Sequence, residues 1–309
     1  MSDPILSIII VSFNTKDLLR DCINSIYSNT KRLSSEVIVV DNNSKDGSIE
    51  MLQNEFKEIT LIKNNENLGF AKANNQAINI AKGTNLLLLN SDTILKENTT
   101  EKLAAFMAEH PKAAAVGPKV LNSDFTLQSK GFLFPSITHE LIGLLRIPKF
   151  FNKSLLYHYF PNHFWDEDCD RPVDWISGCC MLLSKEVVNK IGTLCEDFFM
   201  YYEDEEWCYR AHRAGYQVWY CPVVSVIHDN NSSPMEDRLS IVKKNTKTFL
   251  KKTIGIWKGL FIQVISLSSN IFALIGALIM FKSAKIKIYL QRIHLQISFM
   301  RCLIATPDE

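Results

Sequence analysis

Four leucines, Leu86 to Leu89, run directly into Asn90-Ser91-Asp92. Such a run reads as a buried strand that ends on a carboxylate. In open α/β sheets, ligands bind outside the carboxyl ends of the strands. A carboxylate there suits a hard divalent cation, Mg²⁺ or Mn²⁺, which in turn suits a diphosphate. A second acid, Asp41, follows the apolar run Val37–Val40. It can accept hydrogen bonds from a nucleobase or ribose, or simply shape the turn as Asx residues do. The densest acidic cluster is Tyr201-Tyr202-Glu203-Asp204-Glu205-Glu206-Trp207. Crowded carboxylates beside aromatics raise one another's pKa, which suits a general base, but acids are also favoured at an ordinary helix N-terminus.

Weaker signals surround these. Phe13 and Asn14 follow the first apolar run, where an aromatic can stack on a base or pack into the core. The segment from Asn67 through Gly69 to Asn74 and Asn75 opens a helix. A glycine there permits close backbone approach, and free N–H groups favour anions. His228 closes an apolar run and is either a metal or phosphate ligand or a structural histidine. Neither G-x-G-x-x-G nor G-x-x-x-x-G-K-[ST] occurs, so neither a Rossmann dinucleotide site nor a P-loop is indicated.

The elements that must position these residues alternate. Short apolar runs at Leu6–Val11, Val37–Val40, Ile59–Ile62 and Leu86–Leu89 predict strands. Helical faces lie between them: Leu18, Leu19, Cys22, Ile23 and Ile26, capped by Thr15 or Asn14; Ile49, Leu52 and Phe56; and Phe70, Ala73, Ala77, Ile78 and Ala81, with Gly83 as C-cap. Repeated βαβ units predict an α/β fold with a mainly parallel sheet and helices on both faces. A helix is expected over 97–109, a strand over 114–121, and order again at Val173–Leu183. Helices are then expected over 185–191 and 203–214, and strands at Val218–Cys221 and Val223–His228. Between them, residues 125–170 are aromatic and irregular. They read either as a substrate-facing loop or as a loop packing its aromatics inward.

The tail differs in character. Residues 259–281 carry no charge, and lysines flank both sides. Basic residues at both ends fit a helical hairpin or interfacial segment on an anionic leaflet better than a simple span. Ile286, Leu290, Ile293, Ile297, Met300 and Ile304 then fall at helical spacing, forming a basic amphipathic helix. The alternative is a soluble helical pair packed on protein.

The totals bound the class. With 309 residues, 47% hydrophobic, the chain can bury a sizeable core, and its net charge of +1 argues against nucleic acid as the main partner. Eight cysteines show no zinc or redox spacing and read as free thiols in a reducing environment. The Met1-Ser2-Asp3-Pro4 start does not read as a signal peptide.

Taken in order, Ser-Phe-Asn, Val-Val-Asp-Asn-Asn-Ser-x-Asp-Gly-Ser, Asn-x-Gly-Phe-Ala-x-Ala-Asn-Asn, Leu-Leu-Asn-Ser-Asp, Ser-Gly-Cys-Cys-Met-Leu, Phe-Phe-Met-Tyr-Tyr-Glu-Asp and the late His resemble family 2 glycosyltransferases of the GT-A fold. The likeness covers about residues 5–235 and is nearest to a rhamnosyltransferase-like branch that builds surface polysaccharides. It implies inverting transfer from a nucleoside-diphosphate sugar, dTDP- or UDP-linked, to a glycan or lipid-linked acceptor. It places Phe13 against the base, Asp41 on the uracil or thymine edge, and Asp92, with His228, at a divalent cation. Asn14, Asn67, Gly69, Asn74 and Ser91 fall in its donor-binding motifs. Asp204, in the Glu203-Asp204 pair, takes the position of the general base, and Trp175, Ser177 and Gly178 line the donor and acceptor pocket. Many relatives carry Asp-x-Asp where this chain has Asn90-Ser91-Asp92.

The resulting expectation is a catalytic domain over 1–240, divided into a nucleotide-sugar half over 1–120 and an acceptor half over 121–240. A membrane-associating tail over 241–309 would sit at the cytoplasmic face of the inner membrane. Two other readings stay open: a non-catalytic nucleotide-sugar-binding module and a nucleotidyltransferase.

Overall fold

The computed structural model describes residues 5–145, 168–229, 235–279 and 283–304. Among the described residues, ten strands form one sheet in the order β3-β2-β1-β4-β9-β6-β10-β5, with β7 on β6 and β8 on β10. The strands are β1 (Leu6–Ser12), β2 (Ser35–Asp41), β3 (Thr60–Lys63), β4 (Asn85–Asn90), β5 (Thr93–Leu95), β6 (Ala113–Leu121), β7 (Leu127–Ser129), β8 (Arg171–Val173), β9 (Cys180–Ser184) and β10 (Gln217–His228). The helices of the same unit are α1 (Lys16–Asn29), α2 (Ser48–Glu55), α3 (Gly69–Ile80) and α4 (Thr99–Glu109). Beyond α5 (Ile137–Leu144) come α6 (Lys185–Ile191) and α7 (Glu203–Arg213).

The first half follows the expected βαβ pattern, and β3-β2-β1-β4 is parallel throughout. In β1, Leu6, Ile8, Ile9 and Ile10 are all fully buried. Successive residues point to opposite faces, so both faces of the sheet are covered there. Beyond β4 the sheet is mixed rather than parallel. β9 runs antiparallel between β4 and β6, and β5 and β8 run antiparallel to β10, while β6 and β10 are parallel. A mixed sheet has the same apolar strand runs as a parallel one, so composition did not distinguish them.

Three local expectations change. Gly83 is not a helix cap: α3 ends at Ile80 with Ala81 as its C-cap, and the Gly83 N–H donates to Ser7 Oγ at 2.8 Å. A Cβ at Gly83 would lie 2.5 Å from the Ser7 nitrogen, so glycine there permits close approach to β1. The stretch expected as one ordered run over 173–183 is two strands, β8 and β9, joined by the loop that holds Trp175, Ser177 and Gly178. Conversely, the two strands expected over 218–228 are a single β10, with an irregularity between Cys221 and Ser225.

The chain divides into two compact units. One holds the described residues 5–132 and 168–241; the other holds 133–145 with the described residues from 242 on. Helix α8 (Met235–Lys252) enters the second unit, which also contains α5, α9 (Ile256–Ile279) and α10 (Ser283–Ile304). Helix α9 is long and apolar enough to cross a membrane. Two of its polar residues face α10: the Asn270 amide donates to Gln296 Oε1 at 2.9 Å, and Gln296 Nε2 donates to Ser266 Oγ at 2.7 Å. Its apolar residues are largely open, with Trp257 85%, Ile279 72% and Phe272 59% exposed. Residues 146–167 of the aromatic 125–170 segment, which include Phe150 to Trp165, lie outside the described residues.

Candidate active site

The carboxyl ends of β1, β2 and β4 gather the first group of predicted residues. Asp41 ends β2 and is fully buried. Its Oδ1 accepts from the Ser44 N–H at 2.8 Å, whereas Oδ2 has no hydrogen-bond partner among the described residues. A buried orphan acceptor is costly unless a ligand donor completes it. Phe13, at the end of β1, is 45% exposed and leaves a ring available for stacking. Asn14 sits at φ 54° and braces the β1 turn against the β2 turn: its N–H donates to Ser44 Oγ at 2.9 Å and its Oδ1 accepts from Lys45 N at 2.7 Å.

Asn67, Gly69 and Asn74 do local structural work. Asn67 Oδ1 accepts from the Gly69 N–H at 3.0 Å, and the Phe70 N–H donates to Phe199 O at 2.7 Å. The first amides of α3 are thus taken by protein groups rather than left for an anion. Gly69 has φ +81°, and a Cβ on it would lie 2.3 Å from the Phe199 carbonyl oxygen. Its close approach is to the 199–202 segment that leads into α7. Asn74 Nδ2 donates to Phe70 O at 2.9 Å.

Asp92 follows β4 and lies against the end of β10, where the Asp229 N–H donates to Asp92 O at 3.0 Å. Asp92 Oδ1 and His228 Nε2 are 3.2 Å apart, and both residues are at least nine-tenths buried. Asn90 Nδ2 also lies 3.2 Å from His228 Nε2. Ser91 Oγ accepts from Thr15 Oγ1 at 2.9 Å, tying this corner to the start of α1. Among the described residues, no group of three His, Cys, Asp or Glu side chains could enclose a metal ion. The buried carboxylate beside an imidazole nitrogen offers two protein ligands. That fits a cation such as Mg²⁺, which is ordinarily held by one or two carboxylates plus substrate phosphates and water.

The acidic cluster opens α7. Tyr201 and Tyr202 both have left-handed backbone, φ 72° and 77°. Non-glycine residues held there cost about 1 kcal/mol or more each and concentrate at functional sites. The turn they make puts Glu203 and Asp204 on the first helical turn. Asp204 is only half-buried, and its Oδ2 accepts from the Gly178 N–H at 2.8 Å while Oδ1 accepts from Glu205 N at 2.8 Å. Glu203 is buried and its Oε2 has no hydrogen-bond partner among the described residues.

Burial raises both carboxyls, but two N–H donors oppose the shift at Asp204. Asp204's own charge then pushes Glu203 further up, well above the usual range. Of the two, Asp204 therefore ionises first. Burial, then Asp204 and Asp174, lift Glu205 to about 8. Glu206 is tied to Arg210 Nε at 2.8 Å.

The Cys179 position links the acid cluster to the β4 corner. Its carbonyl accepts from Asn90 N at 3.0 Å. Burial raises its thiol to about 12, and Asp92 and Asp204 both add to that shift. Trp175 stacks on Phe132 with ring centroids 4.2 Å apart, and Ser177 Oγ accepts from Cys179 N at 3.4 Å. The residues that sequence reasoning missed are polar ones on short elements. Gln128, on the three-residue β7, contacts His228 Nδ1, and its only sequence signal was an uncharged polar residue between Leu127 and Ser129.

Comparison with known proteins identifies the chain's relatives. The chain is 30% identical, over 228 residues, to the low-salt glycan biosynthesis hexosyltransferase Agl10 of Haloferax volcanii, covering 72% of this chain and 67% of that one. It is 25% identical over 275 residues to the N-acetylglucosaminyl-diphospho-decaprenol L-rhamnosyltransferase of Mycobacterium tuberculosis, covering 82% of this chain and 86% of the relative. Among solved structures, a mannosyltransferase from Pyrobaculum calidifontis in complex with GDP-Man and Mn²⁺ matches with a TM-score of 0.63 at 16% identity. That match covers 98% of this chain and 86% of the other, and shows a shared GT-A fold. Residues 7–192 match the model of Glycosyl transferase family 2, and the chain therefore belongs to that family as a glycosyltransferase.

Proposed function

We propose that the protein moves a sugar, with inversion, from a dTDP- or UDP-sugar to a hydroxyl of a glycan or lipid-linked acceptor in surface polysaccharide synthesis. The observation that carries this reading is the Asp204 carboxylate. It is fixed by the backbone N–H groups of Gly178 and Glu205 and stays the more acidic member of the Glu203–Asp204 pair. A positioned, partly open carboxylate of that kind can take the proton of an acceptor hydroxyl as it attacks. Attack from the side opposite the leaving diphosphate inverts the anomeric carbon. Burial and the Asp204 charge push the Glu203 carboxyl up, so Glu203 gives up its proton only after Asp204.

On the donor side, Asp41 Oδ2 accepts an imide N–H of uracil or thymine, and the exposed Phe13 ring stacks on the base. Asp92 and His228 would hold Mg²⁺ or Mn²⁺ between them and the donor diphosphate. When bound, such a cation neutralises charge developing on the leaving group. Trp175, Ser177 and Gly178 lie on the loop that leads into β9, where the Gly178 N–H holds Asp204, and would line the donor and acceptor pocket there. Rhamnose as the sugar is favoured by the rhamnosyltransferase relative and by the rhamnosyltransferase-like pattern of motifs.

The tail supports a location at the cytoplasmic membrane surface. Exposed apolar residues on α9 are flanked by Lys251, Lys252 and Lys258 before, and by Lys285 and Lys287 after. Apolar burial plus basic flanks is the signature of interfacial helices on anionic lipid.

The test is a thermal-shift panel of dTDP, UDP, GDP and ADP, each with Mn²⁺, Mg²⁺ or chelator. A ligand that binds only the native state raises its stability. A cation-dependent shift with dTDP or UDP is expected. A shift indifferent to cation would remove Asp92 and His228 from the donor site, and no shift with any nucleotide would overturn the donor reading.

A further inference from the structure

The β6–β7 hairpin carries a run of polar side chains that ends on His228. Thr126 Oγ1 donates to Asp124 Oδ1 at 2.6 Å, because a carboxylate can only accept. Having donated its one hydrogen, Thr126 Oγ1 must accept from Asn122 Nδ2, at 2.8 Å. That orients the Asn122 amide, leaving Oδ1 to accept from Gln128 Nε2 at 2.8 Å. The second hydrogen on Gln128 Nε2 goes to the His228 carbonyl oxygen at 2.9 Å. Gln128 therefore presents Oε1, not its nitrogen, to His228 Nδ1 at 2.7 Å. An amide oxygen can only accept, so Nδ1 carries the proton and Nε2 carries the lone pair. At the other side of the ring, Asn90 Nδ2 at 3.2 Å is a donor matched to that lone pair.

We propose that Gln128 is a positioning residue: through Asn122, Thr126 and Asp124 it locks the His228 tautomer whose Nε2 lone pair lies beside Asp92. Every polarity in the chain follows from the carboxylate at its exposed end. The consequence is a pair of electron-pair donors, His228 Nε2 and Asp92 Oδ1, held 3.2 Å apart and suited to a shared divalent cation. Histidines that bind metals ordinarily have the other ring nitrogen fixed in this way, and losing the outer partner costs about 10- to 100-fold in metal affinity. The consequence for cation binding rests on the proposed donor site; the tautomer does not.

The experiment uses the full chain with ¹⁵N-labelled histidine, read by long-range ¹⁵N–¹H correlation in alkaline buffer, where imidazole is neutral. Mn²⁺ affinity is measured in parallel by electron paramagnetic resonance. The wild-type His228 is expected to carry its proton on Nδ1. Gln128→Leu should spread the proton over both nitrogens and weaken Mn²⁺ binding about 10- to 100-fold. If that variant does not fold, exposed Thr126→Val compared with Thr126→Ser decides in its place, the serine keeping the tautomer and the valine losing it. A wild-type proton on Nε2, or a tautomer unchanged in Gln128→Leu, overturns the proposal. Wild-type protein that binds no Mn²⁺ but shows the expected tautomers would overturn the cation reading and uphold the lock.

Discussion

The backbone N–H of Gly178 donates to Asp204 Oδ2 at 2.8 Å, and the next carbonyl, that of Cys179, accepts from Asn90 N at 3.0 Å. One dipeptide just before β9 therefore sets the spacing between the acid of α7 and the β4 corner. Backbone bonds of this kind hold position without depending on side-chain rotamers.

Asp204→Asn is expected to keep the fold, since an amide oxygen can replace one acceptor. Transfer should fall by about 10²- to 10⁴-fold, the usual contribution of a general base, with nucleotide binding unchanged. In the wild type, kcat/KM should rise with pH as the raised Asp204 carboxyl ionises. Initial rates and nucleotide thermal shifts on the same preparation check both. A variant with normal turnover would move the base to another acid.

Glu205 gives a stability prediction with a definite sign. Burial lifts its carboxyl from 4.5 to about 8. Between those values the native chain holds a proton that the unfolded chain has released, so stability falls as pH rises across that window. Glu203 acts in the same direction. Glu205→Gln removes one share of this slope. Urea midpoints measured from about pH 5 to about pH 8 should decline less in the variant than in the wild type. Equal slopes would mean that Glu205 is ionised throughout.

Much of this was legible in the sequence, for physical reasons that differ by element. The strand runs leading to Asp41 and Asp92 announce themselves, because a central strand covered on both faces is continuously apolar. The α7 start was also visible, although Tyr201 and Tyr202 gave no warning of left-handed backbone, a conformation those residues rarely adopt. β5 and β7 were not readable: three residues are too few to show a period of two. Gln128 was hidden for the same reason, since its role depends on a 100-residue separation from His228. Gly69 was read as a close-approach glycine, but only the structure shows that the Phe199 backbone makes the approach.

Gly69→Ala follows from that contact. The new methyl would sit 2.3 Å from the Phe199 carbonyl oxygen at a φ of +81°, and neither group is a side-chain end that can swing away. A loss of about 2–4 kcal/mol is expected in denaturant titrations, with the damage centred on the 199–202 turn. A loss under about 0.5 kcal/mol, the range of ordinary surface changes, would show that the turn yields easily.

Asp41→Asn separates the orphan oxygen from the rest of the donor site. The amide oxygen can still accept from the Ser44 N–H, and the NH₂ group then occupies the place of Oδ2. A donor facing the imide N–H of uracil or thymine is repulsive where the carboxylate was attractive. Affinity for UDP or dTDP should drop about 10- to 100-fold, the range for a hydrogen bond to a charged group. Calorimetric titration of the variant should show this while the protein's own melting temperature holds. Equal affinity in both forms would place the base elsewhere.

The tail yields the last prediction. Trp257 and Phe272 are among the most open apolar side chains of α9, at 85% and 59% exposed, so replacing both with Gln removes apolar surface without opening a core. The full chain is expected to sediment with vesicles containing anionic lipid and to bind neutral vesicles more weakly. Added salt should weaken the anionic component, because exposed charges are screened over about 10 Å at 0.1 M. The double variant should lose most binding to both vesicle types, since the basic flanks alone supply only about 1 kcal/mol per residue near the surface. If it sediments as the wild type does, α9 is not the contacting surface. If instead the wild type ignores vesicles and the variant changes its oligomeric state in ultracentrifugation, the open face of α9 meets protein.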